Sequence, residues 1–317
     1  MTTVIVATAF GGPEVLSVAE EEVPAPRRGE VTIEVKAIGV NPVDYKLYSG
    51  LMGRDPDSLP LRVGQELAGV VTAVGPEAVG PAGPIRVGDE VIGYRRGVPG
   101  AYAGEVTWPA EAVVPKPAEL SWEEASGLLL CGATALHALA ATGVAQGDVV
   151  LVHGVSGGTG LAMAQLAALR GALVIGTASP ARHESLRRYG IKPVAYGPGL
   201  ADRIRALAPQ GVDAAIDAAG TDEAIDVSLE LVADKARIAT IAAFQRAAEA
   251  GIKRLGAAPG ADPGTEIRPN AWSQLVPLAA EGKLDVVIAR TFPLEQAAQA
   301  HRLVATGHAG GKVVLLP

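Results

Sequence analysis

The chain carries one cysteine, Cys131, in 317 residues. A single thiol excludes an internal disulfide and any four-cysteine zinc knot, and it fits a reducing compartment. Positive charge is also scarce: 27 Lys and Arg against 34 Asp and Glu leave a formal net charge of −7. There is no basic footprint for nucleic acid or an anionic membrane. The opening stretch, MTTVIVATAFGGPE, lacks the basic start and long apolar core of a signal peptide, so a cytoplasmic protein is expected. Charge of either sign is missing from residues 126–147, a run long enough to suggest a membrane span. Thr134, His137, Thr142 and glycines interrupt that run, and Ser121-Trp122-Glu123-Glu124 before it has the capping-box pattern of a soluble helix start. The reading is a nearly fully buried helix over 122–141 and no membrane partner.

What is present points to a globular enzyme. Apolar residues make up 49% and charged ones 19%, and the length exceeds what one hydrophobic core serves, so two domains are expected. Strands are predicted at 3–9, 15–18, 31–38, 64–75 and 87–94. In the third of these Val31, Ile33, Val35 and Ala37 alternate with Thr32, Glu34 and Lys36, the pattern of a half-buried strand. This first part reads as a compact antiparallel β region. After the capped helix, strands at 149–152, 172–176, 194–196, 213–217 and 236–241 alternate with helices such as 181–189 and 200–208. Such alternation implies parallel strands covered by helices. A helix near 271–281, a strand at 284–290, a helix at 294–305 and a strand at 312–316 complete the chain, and 244–270 has no clear assignment.

The densest signal lies in VVLVHGVSGGTGLAMAQLAALRGALVIGTASPAR, residues 149–182. An apolar strand runs into Gly154, Ser156, Gly157, Gly158, Thr159 and Gly160, then into a helix and a second strand. Backbone without Cβ can approach a pyrophosphate closely, and a helix N-terminus offers unpaired N–H groups and a positive dipole end. The dinucleotide fingerprint would put glycine at 155, 157 and 160, and Val155 departs from it. The end of the second strand bears on which dinucleotide. An NAD site places an acid there for the ribose 2′-hydroxyl. Here Thr177, Ser179, Arg182 and His183 follow, with no acid before Glu184. Hydroxyls and a guanidinium suit a 2′-phosphate, so NADP(H) is the expected cofactor. A plain polar loop with a solvated arginine is the competing reading.

Several segments together, in order along nearly the whole chain, resemble one family. They are GVNPVDYKLYSG at 39–50, GQELAGVVTAVG at 64–75, VGDEVIGY at 87–94, AYAGEV at 101–106, CGATALHAL at 131–139, VHGVSGGTG at 152–160, ARTFPLEQAAQAH at 289–301 and GKVVLLP at 311–317. The resemblance is to the zinc-independent medium-chain dehydrogenase/reductases, in the quinone oxidoreductase and ζ-crystallin branch. It implies an α/β protein: a doubly wound Rossmann sheet at 120–265, inserted in a β-rich GroES-like catalytic domain of 1–119 and 266–317. It implies a cofactor between those domains and a homodimer.

The resemblance further implies that Asn41, Thr134 and the 242–244 segment, with Ala242 and Phe244, lie near the nicotinamide. It implies Tyr196 near the adenosine phosphate, and Asp217-Ala218-Ala219-Gly220 along the cofactor's middle, with Ala219 in contact. In zinc-dependent relatives a Cys and a Glu-adjacent His bind the catalytic metal. Those positions resemble Asn41 and Gln65 here, whose amides are not the donors such zinc sites use. No metal is expected, and Cys131, His137 and His153 read as structural. Without a Lewis acid the fitting acceptor is one already polarised, a quinone or an α,β-unsaturated carbonyl. The protein must align it with the nicotinamide and solvate a developing oxyanion.

For the proton, relatives often have a tyrosine where this chain has Lys46, flanked by Tyr45 and Tyr48. Lys46 is a donor to the enolate oxygen, a contact for an acidic group of the substrate, or a solvated lysine, with water as another proton source; Tyr45 and Tyr48 either serve the site or pack, and Tyr94 or Tyr102 could line it. Asp44 reads as support for the Asn41 turn. Gly310 stands where relatives often have Arg. Two alternatives remain: a zinc alcohol dehydrogenase, and an NADPH-binding crystallin-like or RNA-binding protein with little turnover.

Overall fold

Residues 30–40 show how the β-rich part is built. Val31, Ile33 and Val35 are buried while Glu34 is exposed, but from Ala37 to Val40 the strand is buried on both faces. The half-buried pattern fails there because this strand, Glu30–Val40, is central. Its partners are Glu66–Val74 on one edge, with Glu105–Pro109 and Lys312–Leu316 on the other, all antiparallel. The sheet continues from Glu66–Val74 to Glu90–Tyr94 and Val113–Pro115, and from Lys312–Leu316 to a parallel neighbour, Ile288–Pro293. A second sheet pairs Thr2–Ala7 with Leu16–Glu21 and Leu61–Arg62. Val4, Ile33, Leu67, Tyr102, Phe292 and Leu315 belong to the core of this part.

A computed structural model describes residues 1–51, 53–95 and 100–317 and divides the chain into two units. One is Met1–Leu130 with Val276–Pro317, and the other is Cys131–Leu275. The helix expected over 122–141 is two helices, Trp122–Ser126 and Leu129–Ala141. The first has the expected Ser121/Glu124 capping box, and it stops because Gly127 and Leu128 donate to Glu124 and Ala125 in tight i→i−3 bonds. Among the described residues, no helix is long and apolar enough to cross a membrane.

The second unit is a six-stranded, wholly parallel sheet. Its spatial order is Lys192–Val194, Leu173–Thr177, Val149–His153, Ala214–Asp217, Ile238–Thr240 and Lys253–Arg254, or 3-2-1-4-5-6 in chain order. That is the doubly wound Rossmann order, whose direction of winding switches between Val149–His153 and Ala214–Asp217. The four inner strands are mainly apolar and buried, as in a parallel sheet covered by helices on both faces, whereas the edge strands Lys192–Val194 and Lys253–Arg254 carry exposed lysines. Asp222–Leu231, a helix the sequence reading did not place, is one of the covering helices. The unassigned 244–270 stretch contains a helix, Phe244–Ala250, and the edge strand Lys253–Arg254. In the first unit, Leu294–Gln296 is a 3-10 turn leading into the helix Ala297–Ala305.

Candidate active site

The glycine turn sits at the switch point of the parallel sheet, where such folds bind ligands. Gly154 leaves the first strand with φ +73, and a Cβ there would lie 3.2 Å from the Ala218 and Ala219 backbone of the fourth-strand turn. Gly160, in the first turn of the Gly158–Leu169 helix, is forced by close approach, since a Cβ would stand 2.3 Å from the Gly154 carbonyl oxygen. Gly158, Thr159 and Gly160 therefore present the unpaired N–H groups of a helix N-terminus directly beyond the turn. Val155, the departure from the fingerprint, is fully buried. It fills the space over Gly176 of the second strand, and its N–H donates to the Thr177 carbonyl at 3.1 Å.

Two hydrogen-bond relays hold this rim. In the first, the Gly154 N–H donates to Thr177 Oγ1 at 3.0 Å. Thr177 Oγ1 is 3.5 Å from His153 Nδ1, and His153 Nε2 is 3.2 Å from Ser228 Oγ, which donates to the Ala224 carbonyl. Burial pushes His153 down to about 4, so the ring is neutral and structural. In the second, Asp217 Oδ1 accepts the N–H groups of Ala219 and Gly220 at 2.8 and 2.9 Å. Its Oδ2 accepts the Thr240 hydroxyl at 2.6 Å, and Thr240 Oγ1 accepts the N–H groups of Ala242 and Ala243. The turns carrying Ala219 and Ala242 are thus tied through one buried carboxylate, whose pKa burial raises. Phe244 follows as the first residue of its helix.

Around this rim the other candidates divide. Thr177 is buried with its hydroxyl committed to Gly154, whereas Ser179 is half-buried and Arg182 exposed in the turn beyond it. Tyr196 is half exposed after the third strand. The Thr159 hydroxyl donates to Cys131 Sγ at 3.4 Å, and Ser156 is half-buried in the turn. Thr134 Oγ1 accepts from Arg268 Nη1 at 3.0 Å, while Arg268 Nε donates to His137 Nδ1 and His137 Nε2 meets Asp262 Oδ2 at 3.0 Å. His137 is therefore a buried, doubly bonded ring.

The first unit holds a different constellation. Asn41 ends the central strand and begins the helix Pro42–Tyr48; its N–H donates to Asp44 Oδ2 at 2.8 Å, the turn support expected of that acid. Its side chain is fully engaged: Nδ2 donates to Glu66 Oε1 at 2.9 Å and to the Gly39 carbonyl at 3.2 Å, and Oδ1 accepts from Lys312 Nζ at 2.7 Å. Lys312 also pairs with Glu66 Oε1, and Glu66 Oε2 accepts the Leu130 N–H. Beyond Asp44, Tyr102 OH lies 3.2 Å from Asp44 Oδ2 and 2.7 Å from His301 Nε2, and Tyr48 OH is 2.6 Å from His301 Nδ1. A neutral His301 with its proton on Nε2 satisfies all three contacts, and burial pushes its pKa down to about 4. Every member of this network is buried. Tyr45 and Lys46, on the same helix, are half-buried; burial raises the phenol and lowers the ammonium.

Residues 27–118 match the alcohol dehydrogenase GroES-like domain family, and residues 191–315 match the zinc-binding dehydrogenase family. Mouse quinone oxidoreductase is 30% identical over 97% of this chain and 95% of its own length. A phenolphthiocerol/phthiocerol polyketide synthase of Mycobacterium tuberculosis is 31% identical over 96% of this chain, which spans only 14% of that much longer protein. Among solved structures, an NAD-dependent alcohol dehydrogenase superposes with a TM-score of 0.86 at 30% identity, covering 99% of each chain. Escherichia coli quinone oxidoreductase complexed with NADPH gives 0.84 at 27% identity, covering 99% of this chain and 100% of that one. The chain belongs to the medium-chain dehydrogenase/reductases, in their quinone oxidoreductase branch.

As a medium-chain dehydrogenase/reductase, the chain can be tested for the zinc its relatives' family name implies. Among the described residues, no group of three or more His, Cys, Asp or Glu side chains is arranged to hold a metal ion. At the position the resemblance equates with a zinc ligand, the Asn41 oxygen already accepts from the Lys312 ammonium, a cation that would repel a second one. The donor set does not fit a catalytic zinc. Asn41 is legible in the sequence as a candidate, whereas Glu66, Lys312 and His301, which lie 25, 271 and 260 residues away, are not. Only the buried charges in otherwise apolar strands, ELAGVV and KVVLL, could have signalled Glu66 and Lys312.

Proposed function

We propose that this chain is an oxidoreductase that uses NADPH to reduce a quinone or an α,β-unsaturated carbonyl without a catalytic metal. The observation that carries the reading is the Gly154–Gly160 turn at the sheet's switch point, with Ser179 and Arg182 and no carboxylate between the neighbouring strand and Glu184. Bound NADPH would supply a hydride from its nicotinamide. The amides of Gly158, Thr159 and Gly160 would take the pyrophosphate, and Arg182 with Ser179 the 2′-phosphate. The Ala219, Ala242 and Phe244 turns would flank the cofactor's middle and nicotinamide end, with Thr134 oriented by Arg268.

In the first unit Asn41 would act as a fixed backbone corner, since its side-chain N–H groups are already donated inward. Tyr48 would remain a structural partner of His301. The proton for the enolate or quinol oxygen would then come from Lys46 or Tyr45. Burial makes the Lys46 ammonium readier to release its proton and keeps the Tyr45 phenol protonated. A homodimer in the cytoplasm completes the reading.

The test is NADPH oxidation against 1,2- and 1,4-quinones, alkenals and cyclic enones, with and without a chelator. Turnover that a chelator leaves unchanged, and that NADPH supports far better than NADH, is the expected result. Stoichiometric zinc required for turnover would refute the metal-free part, and equal use of NADH would refute the phosphate assignment.

A further inference from the structure

Asp217 and Thr240 are the last residues of adjacent parallel strands and are register partners. Both are fully buried at the carboxyl ends of their strands, the side of an open α/β sheet where ligands bind. The turns that follow them pack beside the glycine turn of the first strand. A Cβ on Gly220 would lie 3.0 Å from Ala242 Cβ, and one on Gly154 would lie 3.2 Å from the Ala218 and Ala219 backbone.

Backbone N–H groups set these turns apart. After Asp217, the Ala218 N–H donates to the His153 carbonyl at 3.1 Å, and those of Ala219 and Gly220 donate to Asp217 Oδ1. After Thr240, the Ile241 N–H donates to the Asp217 carbonyl at 3.0 Å, and those of Ala242 and Ala243 donate to Thr240 Oγ1 at 3.0 and 2.9 Å. All six are engaged inside the protein, and none is left for an anion. The glycine turn does the reverse. Gly158, Thr159 and Gly160 open a helix, so their N–H groups have no intrahelical acceptor.

Valence fixes the charge as well. A hydroxyl oxygen has two lone pairs, and on Thr240 both are taken by N–H groups. Its proton must therefore go to Asp217 Oδ2, 2.6 Å away. Asp217 accepts on both oxygens and is held as a carboxylate, although burial by itself raises its pKa. A negative charge buried beneath these turns repels a phosphate through a low-dielectric path.

We infer that Asp217 is a positioning residue, which keeps phosphate off the fourth- and fifth-strand turns and so leaves a dinucleotide one direction in which to lie. The inference rests on the dinucleotide reading above. With Asp217 in place, the pyrophosphate seats on the glycine turn and the uncharged nicotinamide end on the other two. Without it, the freed N–H groups of Ala219 and Gly220 offer phosphate a second seat. A molecule seated there is displaced and transfers no hydride.

The experiment is calorimetric titration of the full chain with inorganic pyrophosphate, alongside steady-state kinetics with NADPH. Asp217→Ala removes the charge and frees both N–H groups. It should bind pyrophosphate about tenfold more tightly than wild type, the size of one charge-assisted hydrogen bond. Its kcat should fall and the KM for NADPH should fall with it, because non-productive complexes add binding without turnover. Asp217→Asn removes the charge but keeps an oxygen for the same N–H groups. It should shift both readings less in the same direction, and it keeps the test alive if Asp217→Ala misfolds.

Pyrophosphate binding that is unchanged or weaker would overturn the inference. So would a KM for NADPH that rises as kcat falls, the result that loosened turns alone predict. If wild type binds neither pyrophosphate nor a nicotinamide dinucleotide, the underlying reading falls with it. If wild type binds them and the variants show no gain, only the role of Asp217 is wrong.

Discussion

Val155 covers Gly176. A Cβ built on Gly176 would come within 2.5 Å of Val155 Cγ1, and Val155 itself is fully buried. The missing glycine of the fingerprint is thus replaced by a packed pair: the valine side chain occupies the space a side chain on the second strand would take.

Restoring the fingerprint with Val155→Gly should therefore harm the protein. It empties a buried site and frees a turn residue, and a loss of about 2–4 kcal/mol is expected. Thermal and urea unfolding of the variant check it. A variant as stable as wild type would show that the turn, not the packing, sets this position.

Lys312 and Glu66 form a buried ion pair with Asn41 between them. Lys312→Met leaves the Glu66 carboxylate buried without its cation and should cost about 3–5 kcal/mol. Removing both charges in Lys312→Met/Glu66→Leu should recover part of that loss, because an apolar pair needs no desolvation. A double variant less stable than the single one would contradict this.

Asp44 and the buried histidines pull stability in opposite directions with pH. Burial holds the Asp44 carboxyl up to about 7, from an ordinary 3.8, and its Oδ1 lacks a hydrogen-bond partner among the described residues. Between those values the folded chain keeps a proton the unfolded chain has lost, so this contribution falls as pH rises, by at most about 4 kcal/mol. His153 and His301, pushed down to about 4 from 6.5, contribute stability above pH 6.5 that is lost as pH falls toward 4. Unfolding of Asp44→Asn and wild type across pH 4–8 separates them. The stability of wild type relative to the variant should decline as pH rises, and a pH-independent difference would refute the Asp44 assignment.

Arg182 is exposed beyond the second strand, with no acid nearer than Glu184 in the chain after it. On the NADPH reading, Arg182→Ala removes one charge-assisted contact to the 2′-phosphate. It should weaken NADPH by about tenfold to a hundredfold and leave NADH unaffected. Dissociation constants for both dinucleotides decide it, and an equal effect on the two would argue for a general electrostatic role.

Local pattern was enough for the strand–turn–helix unit at 149–169, for the Ser121/Glu124 cap and for the parallel alternation after it. Each of those depends on residues within a few positions of one another, where hydrophobic period and backbone chemistry act directly. The break at Gly127 and the two-sided burial of residues 37–40 were not legible. Both depend on what packs from elsewhere: in the second case three partner strands drawn from residues 66–74, 105–109 and 312–316.

The sequence by itself determined the fold class, the glycine turn and the family, because glycine spacing and apolar periodicity are local and ordered along the chain. Only the tertiary structure decided that Asn41 faces inward, with its amide spent on Glu66 and Lys312. It alone joined Asp44, Tyr102, His301 and Tyr48 into one buried chain. The reason is physical. Burying a charge or a phenol is tolerable only when a partner arrives to satisfy it, and these partners come from segments hundreds of residues apart.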